Sequence, residues 1–462
     1  MRKTILVICC AAVGVMPVSA VKAGVEDVAN FDSEAAVHGV PRPELNLEIS
    51  EWVDGHLPSL LGFYRERHQT PELSLYEKES ARAVAARLRS AGYSVTTEVG
   101  GYGVVGILQN GEGPTVLIRG DMDALPITET TGLAYASTVR VEQADGRETG
   151  VMHACGHDIH MTNLVGTASA LAAIKHRWQG TVVIAGQPAE EIGVGAAAMI
   201  ADGLFERFPK PDFCLGLHVS PVLPAGTLAY SSGWATANVD SVDITIFGHG
   251  GHGARPHETI DPIVTASQVV MALQTLTSRR IDPVEGGVVT VGSIHGGSKH
   301  NIIPGEVRLQ LTVRSFSDGA RKILLEGIRK ITVNTCRAMG CPQDPEVTIR
   351  EGEFTPSGYN DPALAAAAAG VMAQVVGPEN VFTIPALTVG EDFGRYAREL
   401  GVPGLLFWLG SVNTEVFVEA QAEDRALPSI HSSDYAPDPG PTLETGIRTM
   451  TALALSLLGV AP

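Results

Sequence analysis

The run His153-Ala154-Cys155-Gly156-His157-Asp158-Ile159-His160 constrains this chain more than any other stretch. It places three histidines, a cysteine and an aspartate within eight consecutive positions. Thiolate and imidazole are natural ligands of zinc-like divalent ions. In a Cys-x-His pair, sulfur and nitrogen can share one side of an extended segment or a tight turn, since alternate residues of a strand share a face. A fold that uses such a cluster must bring it further ligands from elsewhere in the chain. An isolated histidine in a polar loop usually ligates nothing, so the downstream residues decide the matter. Ser-His-Asp chemistry fits poorly, because no serine sits in a Gly-x-Ser-x-Gly elbow.

Downstream, short apolar strands run into chemistry-bearing residues. Thr115 to Gly120 reads as a strand and leads into Asp121-Met122-Asp123. Gly180 to Gly186 reads as a buried strand and leads into Gln187-Pro188-Ala189-Glu190-Glu191. Phe213 to Val219 is another, with His218 near its end. Open α/β sheets build their sites at the carboxyl ends of strands. Adjacent glutamates there are unfavourable unless a cation or a raised pKa relieves them. One can ligate metal while the other serves as general base. Apolar residues recur at helical spacing over 51–67 (Val53, Leu57, Leu60, Leu61, Tyr64), and helices are expected at 77–91 and 161–176. Together with strands at 95–99 and 104–108, the alternation predicts an α/β domain: a mostly parallel sheet with helices on both faces.

The character changes near Asn238. Val239 to Phe247 alternates cleanly, as a half-solvated antiparallel strand does. A histidine- and glycine-rich loop follows at 248–257, then a helix at 261–277, strands at 287–295 and 307–315, a helix at 318–339 and a strand at 346–351. This β-α-β-β-α-β order predicts an inserted ferredoxin-like α+β module. The α/β pattern then resumes with helices at 360–376 and 391–400, a strand at 404–408, a loop carrying His431, and a closing helix at 442–458. The expected organisation is a catalytic domain of residues 24–237 and 352–462, interrupted by a module of residues 238–351.

With 462 residues, 44% hydrophobic and 18% charged, the chain is long and apolar enough for two or three sizeable cores. The formal net charge of −18 argues against nucleic acid or an anionic membrane surface as a partner. Met1-Arg2-Lys3, the apolar run from Thr4 to Met16 and the small residues up to Ala23 read as a signal peptide over 1–23. The run is too short to span a bilayer, so a secreted or periplasmic protein without a membrane anchor is expected. Residues 24–45 show no period and read as an exposed leader. Cys155, Cys214, Cys336 and Cys341 remain after cleavage, too few for a disulfide scaffold. Whether Cys336 and Cys341 pair is open, since helix geometry can hold them apart.

These motifs, in this order, resemble the aminoacylase/carboxypeptidase metallopeptidase superfamily, in its amidohydrolase branch with hippurate hydrolase and the plant indole-acetyl-amino-acid hydrolases. The resemblance runs from His68-x-x-Pro71-Glu72-Leu73-Ser74 through Gly120-Asp121-Met122-Asp123, the His153–His160 cluster, Pro188-Ala189-Glu190-Glu191, Gly251-His252-Gly253, His300-Asn301-Ile302-Ile303-Pro304 and Glu391-Asp392-Phe393 to His431-Ser432. It implies Cys155, His157, Glu191, His218 and His431 as ligands of two divalent ions, zinc or manganese first, cobalt or nickel next. It implies Glu190 as general base and acid. Asp123, His153 and His160 would orient the ligands. The inserted module would act as lid and dimerisation surface in a homodimer, with His252 supporting the developing oxyanion. Asn301 and Arg314 would hold the substrate carboxylate. The implied activity is hydrolysis of N-acyl amino acids. The alternatives are a small-peptide carboxypeptidase, a deacetylase of amino-acid intermediates or, in another class, a metal-containing solute-binding protein. The Pro-rich segment after His431 departs from the branch, where an acidic pair usually precedes the last helix.

Overall fold

A computed structural model describes residues 43–143 and 146–461. The expected signal peptide lies outside the described residues. Among those residues no helix is long and apolar enough to cross a membrane.

Two sheets organise the chain. Nine strands form the larger one, in the order Ser94–Val99, Gly103–Asn110, Trp178–Gln187, Thr115–Asp121, Phe213–Pro224, Gly404–Val412, Leu228–Tyr230 and Val381–Thr383, with Gly459–Val460 beside Trp178–Gln187. Its four central strands are mutually parallel, and antiparallel partners flank them. The central strands are apolar and buried on both faces, as helix-covered parallel strands must be. Helices Pro43–Gln69, Lys78–Ser90, His157–Ala173, Pro362–Val376 and Pro439–Leu457 pack one face. Helices Gly195–Ala201, Leu204–Arg207 and Gly394–Leu400 pack the other. The expected mostly parallel α/β sheet is therefore present.

The smaller sheet is antiparallel, in the order Gly287–His295, Glu306–Ser315, Asn238–Phe247 and Glu346–Ile349. Helices Pro262–Arg279 and Asp318–Ala338 cover one face and build a separate core around Ile244, Leu273, Leu309 and Leu324. Asn238–Phe247 alternates strictly between buried and half-buried residues, as its sequence pattern requires. This is the expected β-α-β-β-α-β module.

Several boundaries differ from expectation. The first helix starts at Pro43, inside the segment read as leader, and carries Pro58 on an exposed position. The helix expected from 161 begins at His157, directly after Gly156, whose φ of 80° breaks the preceding backbone. Its first turn is His-Asp-Ile-His, which lacks apolar spacing and so reads as loop. The helix expected from 391 begins at Gly394, because Glu391 and Asp392 turn inward to pair with a buried arginine.

Candidate metal centre and active site

Cys155 lies in a tight turn and His157 opens the helix behind it. Only glycine fits between them: at Gly156 a Cβ would come within 2.6 Å of the Val219 side chain. The Cys155 thiol is 3.4 Å from Nε2 of His218. Nδ1 of His218 donates to the Val219 carbonyl at 2.7 Å, which leaves Nε2 with a free lone pair. The His157 ring turns Nδ1 toward the Asp123 carboxylate at 3.2 Å. Its Nε2 has no hydrogen-bond partner although buried, and lies 3.9 Å from carboxylate oxygens of both Glu190 and Glu191. Oε1 of Glu191 is also buried and unpartnered. His431 brings Nε2 to 3.3 Å from the other Glu191 oxygen, and its own N–H bonds to the Ala154 carbonyl at 2.8 Å.

These atoms form overlapping triads. Cys155, His157 and His218 make one, Cys155, Glu191 and His431 another, and His157, Glu190 and Glu191 a third, each with its donor atoms within 4.8 Å. A shared donor is what two neighbouring ions need. Buried lone pairs without partners are costly unless a cation takes them. The mixed sulfur, nitrogen and oxygen set suits zinc-like ions. The residues present thus fit a pair of divalent metals, and all five expected ligands come together.

Asp123 behaves as an orienting group: it accepts from Ser74 Oγ at 2.6 Å and from the Glu191 N–H at 3.0 Å, besides its contact with His157. His160 is committed at both nitrogens. Nδ1 donates to Asp121 at 2.5 Å and Nε2 accepts from the Val219 N–H at 3.0 Å, so it steadies the site without ligating. His153 is different. It is buried, neither ring nitrogen has a partner, and burial lowers its pKa to about 4. No hydrogen bond supports the expected orienting role for His153 among the described residues.

The metal group opens into a cleft of about 920 Å³ between the two sheets. Cys155, Glu190, Glu191, His218 and His431 line one wall, and Val239, Ser241, Thr312 and Arg314 of the smaller sheet line the other. Arg314 donates to Thr312 Oγ1 at 3.1 Å and meets no carboxylate among the described residues. His252 and Asn301 do not reach the cleft. Both are exposed at the module's tip, where His252 pairs with Ile302 and the Asn301 carbonyl accepts from the Gly253 N–H. Within one chain, the three residues expected around the substrate are therefore split.

The sequence profile of peptidase family M20/M25/M40 matches residues 117–431. The chain belongs to this family. Hippurate hydrolase of Campylobacter jejuni is 37% identical over 333 residues, 72% of this chain and 83% of that protein. Thermostable carboxypeptidase 2 of Saccharolobus solfataricus is 36% identical over 370 residues, covering 79% and 87%. In solved structures, a dinuclear metal-binding M20 peptidase from Bacillus subtilis superposes with a TM-score of 0.71 at 28% identity, over 88% of this chain and 99% of its own. This M20 protein is accordingly a metal-dependent hydrolase of amides. The alternative of a solute-binding protein falls with that membership.

The electrostatics of the M20 site rest on Arg119, which belongs to none of its sequence motifs. Arg119 is fully buried. Its guanidinium contacts Asp121 at 2.6 Å, Glu391 at 2.9 Å and Asp392 at 3.0 Å, and its Nε donates to Gln187 at 2.9 Å. The legible signal was an arginine inside an apolar strand, which must find anionic partners. Burial opposes the charge on Asp121, but Arg119, His157 and His160 hold its carboxyl well below the usual range. Burial, then Glu391, Glu191 and Asp392, push the Glu190 carboxyl well above it. Burial also raises the Cys155 thiol, while Asp121 and Asp123 outweigh burial to keep His157 protonated in the ion-free protein. Ion binding must therefore release protons.

Proposed function

We propose that this enzyme hydrolyses the amide bond of N-acyl amino acids, releasing a carboxylic acid and a free amino acid. One observation carries the reading. The cleft sets the Cys155, Glu191, His218 and His431 group, with Glu190 beside it, opposite Arg314, which no carboxylate among the described residues neutralises. Arginine matches a planar carboxylate with two parallel hydrogen bonds. An amino-acid product has its α-carboxylate one atom from the nitrogen being released, so Arg314 would set the scissile bond against the opposite wall.

Zinc or manganese would occupy the five ligands, with cobalt or nickel as substitutes. When bound, the two ions supply Lewis acidity to the carbonyl and acidify the attacking water. Glu190 takes that water's proton and passes it to the leaving amine. Burial, with Glu391, Glu191 and Asp392, raises its pKa, which favours the protonated form that the second transfer needs. His252 and Asn301, too far out in their own chain, would serve the cleft of a second subunit or arrive by module closure. We therefore read the enzyme as a homodimer. The charged start and apolar run at 1–23 support a secreted or periplasmic location.

A second reading uses the same wall. A dipeptide's C-terminal carboxylate would meet Arg314 equally well, and the carboxypeptidase of Saccharolobus solfataricus lends it support. A deacetylase of amino-acid intermediates is a narrower version of the first. A panel of hippurate, acetyl and indole-acetyl amino acids and dipeptides, with added zinc, manganese or cobalt, tests all three. Each compound is paired with its carboxyl amide. Free acids should be turned over at least tenfold faster than their amides. Equal rates would overturn the Arg314 assignment, and dipeptides alone reacting would favour the second reading.

A further inference from the structure

The dipeptide Ala189-Glu190 opens the turn that follows the strand Trp178–Gln187. Ala189 has a φ of 51°, a left-handed conformation that residues with a side chain rarely adopt. Such a backbone persists only where its surroundings over-determine it, and here it sits one residue before the base. Its carbonyl accepts from the N–H groups of Val194 at 3.2 Å and Gly195 at 3.1 Å. Its N–H is held from a different part of the chain, by Oε1 of Glu77 at 2.8 Å. The same oxygen accepts from the N–H of Leu75 at 2.9 Å, and Leu75 is also left-handed, with a φ of 71°. Glu77 is completely buried, and its other oxygen has no partner.

We propose that Glu77 is a positioning residue for the reaction: its carboxyl oxygen locks the Ala189 peptide in the left-handed turn that aims Glu190 into the cleft. The reading rests on the hydrolase role of Glu190 given above. A buried carboxyl with one oxygen taking two amide donors contributes little that an apolar core residue would not, unless the geometry of those amides matters. Nearby, Ser74 of the same segment grips Asp123, and Asp123 grips the Glu191 N–H at 3.0 Å. The segment Ser74–Glu77 thus fixes both adjacent glutamates from one side, Glu191 through Asp123 and Glu190 through Ala189. Burial raises the Glu77 carboxyl to about 7. A proton taken up there belongs on the free oxygen, and Oε1 goes on accepting. Glutamine at this position can do the same, with its NH₂ in place of the free oxygen.

The test compares Glu77→Ala, Glu77→Gln and Glu77→Ala/Ala189→Gly as metal-loaded full-length enzymes, on whichever free acid of the panel wild type turns over. Glu77→Ala should keep its metal content and keep KM within about twofold, but lose about tenfold to a hundredfold in kcat, the scale of a base displaced by roughly 1 Å. Glu77→Gln should restore kcat to within about threefold of wild type. Glycine in place of Ala189 adopts positive φ without the anchor, so the double variant should recover part of the loss. Should Glu77→Ala fail to fold, Glu77→Met fills the space without the acceptor and takes its place. Unchanged kcat in the acceptor-less variant, or a loss that neither Glu77→Gln nor the added Ala189→Gly relieves, overturns the proposal. Hydrogen exchange of the peptide covering Ala189 separates this failure from failure of the hydrolase reading, since it needs no substrate. The Ala189 amide should exchange faster without the Glu77 oxygen and normally in Glu77→Gln. Unaltered exchange in Glu77→Ala refutes the anchor, whatever the enzyme hydrolyses.

Discussion

Arg119→Met asks what the buried arginine does for the fold. In the native protein its guanidinium lies among three carboxylates, all with side chains no more than 2% exposed. Methionine keeps much of the volume and removes the charge. Asp121, Glu391 and Asp392 then remain buried with no cation between them, beside Glu190. Removing one partner of a buried ionic group costs about 3–5 kcal/mol, because the remaining charge stays desolvated. That is two to four orders of magnitude in the folding equilibrium, a large part of a typical total of roughly 5–15 kcal/mol. The deficit should depend on pH. Burial and Glu391 already lift Asp392 to about 6, against the pull of Arg119. Without the arginine the Asp392 carboxyl rises further above its unfolded value, and Asp121 loses the strongest of the charges that hold it low. Carboxyls shifted upward destabilise the fold as pH rises past their unfolded pKa, so the deficit should be largest near pH 8 and shrink toward pH 5. Urea unfolding followed by circular dichroism, on chelated protein to remove metal linkage, measures it at both pH values. Arg337→Met is the control: its pair with Asp344 is as short, at 2.6 Å, but exposed, and its loss should be undetectable. A deficit below about 1 kcal/mol at pH 8, or one independent of pH, would refute the reasoning.

Four further outcomes are expected. Cys155 should be silent to thiol titration in the metal-loaded enzyme and appear after chelation; equal reactivity in both states removes it from the ligand set. Burial disfavours a charged His68, but hydrogen bonds to Asp158 at 2.6 Å and Glu129 at 3.1 Å win and raise it to about 10. The stability it confers is complete below pH 6.5 and lost as pH rises through about 10, so the stability gap between wild type and His68→Gln should narrow over that window; a constant gap speaks against a charged His68. Cys336 and Cys341 occupy the two contact positions of a Schellman turn, shown by the bonds from Cys341 N–H to the Cys336 carbonyl at 3.0 Å and from Gly340 N–H to the Arg337 carbonyl at 3.1 Å. Oxidised glutathione should therefore close them into a disulfide, and unreduced peptide mapping that finds only mixed or free thiols excludes it. Finally, mixing inactive His252→Ala with inactive Glu190→Gln should regain part of the activity if His252 serves the neighbouring subunit, whereas a mixture that stays dead places it in its own chain.

The main sheet, the inserted module and four of the five candidate ligands were legible because each has a local signature, whereas His431, in a loop, was marked only by the family resemblance. Apolar runs of strand length mark the parallel core, strict alternation marks Asn238–Phe247, and cysteine, histidine and paired glutamates stand out at the ends of such runs. Local signatures fail where the first turn of a helix is made of functional residues. The starts of the helices at His157 and Gly394 leave no such mark, since their approaches carry His-Asp-Ile-His and Glu-Asp in place of apolar spacing. The left-handed backbone at Ala189 was invisible too, as alanine carries no mark of the conformation it is forced into.

What the sequence determined by itself was chemistry: which side chains could hold ions, which carboxylate was spare, and which stretches must be buried. The tertiary structure decided who meets whom. Arg119 finds Glu391 across 272 positions because the central strands stand side by side in an order that no local pattern encodes. It also sorted the histidines. His218 keeps a free lone pair, His160 has none, His153 is buried with neither nitrogen partnered, and His252 stands outside its own cleft. All four are the same residue in the chain. What each ring can do follows from which of its nitrogens is hydrogen-bonded, and packing alone decides that.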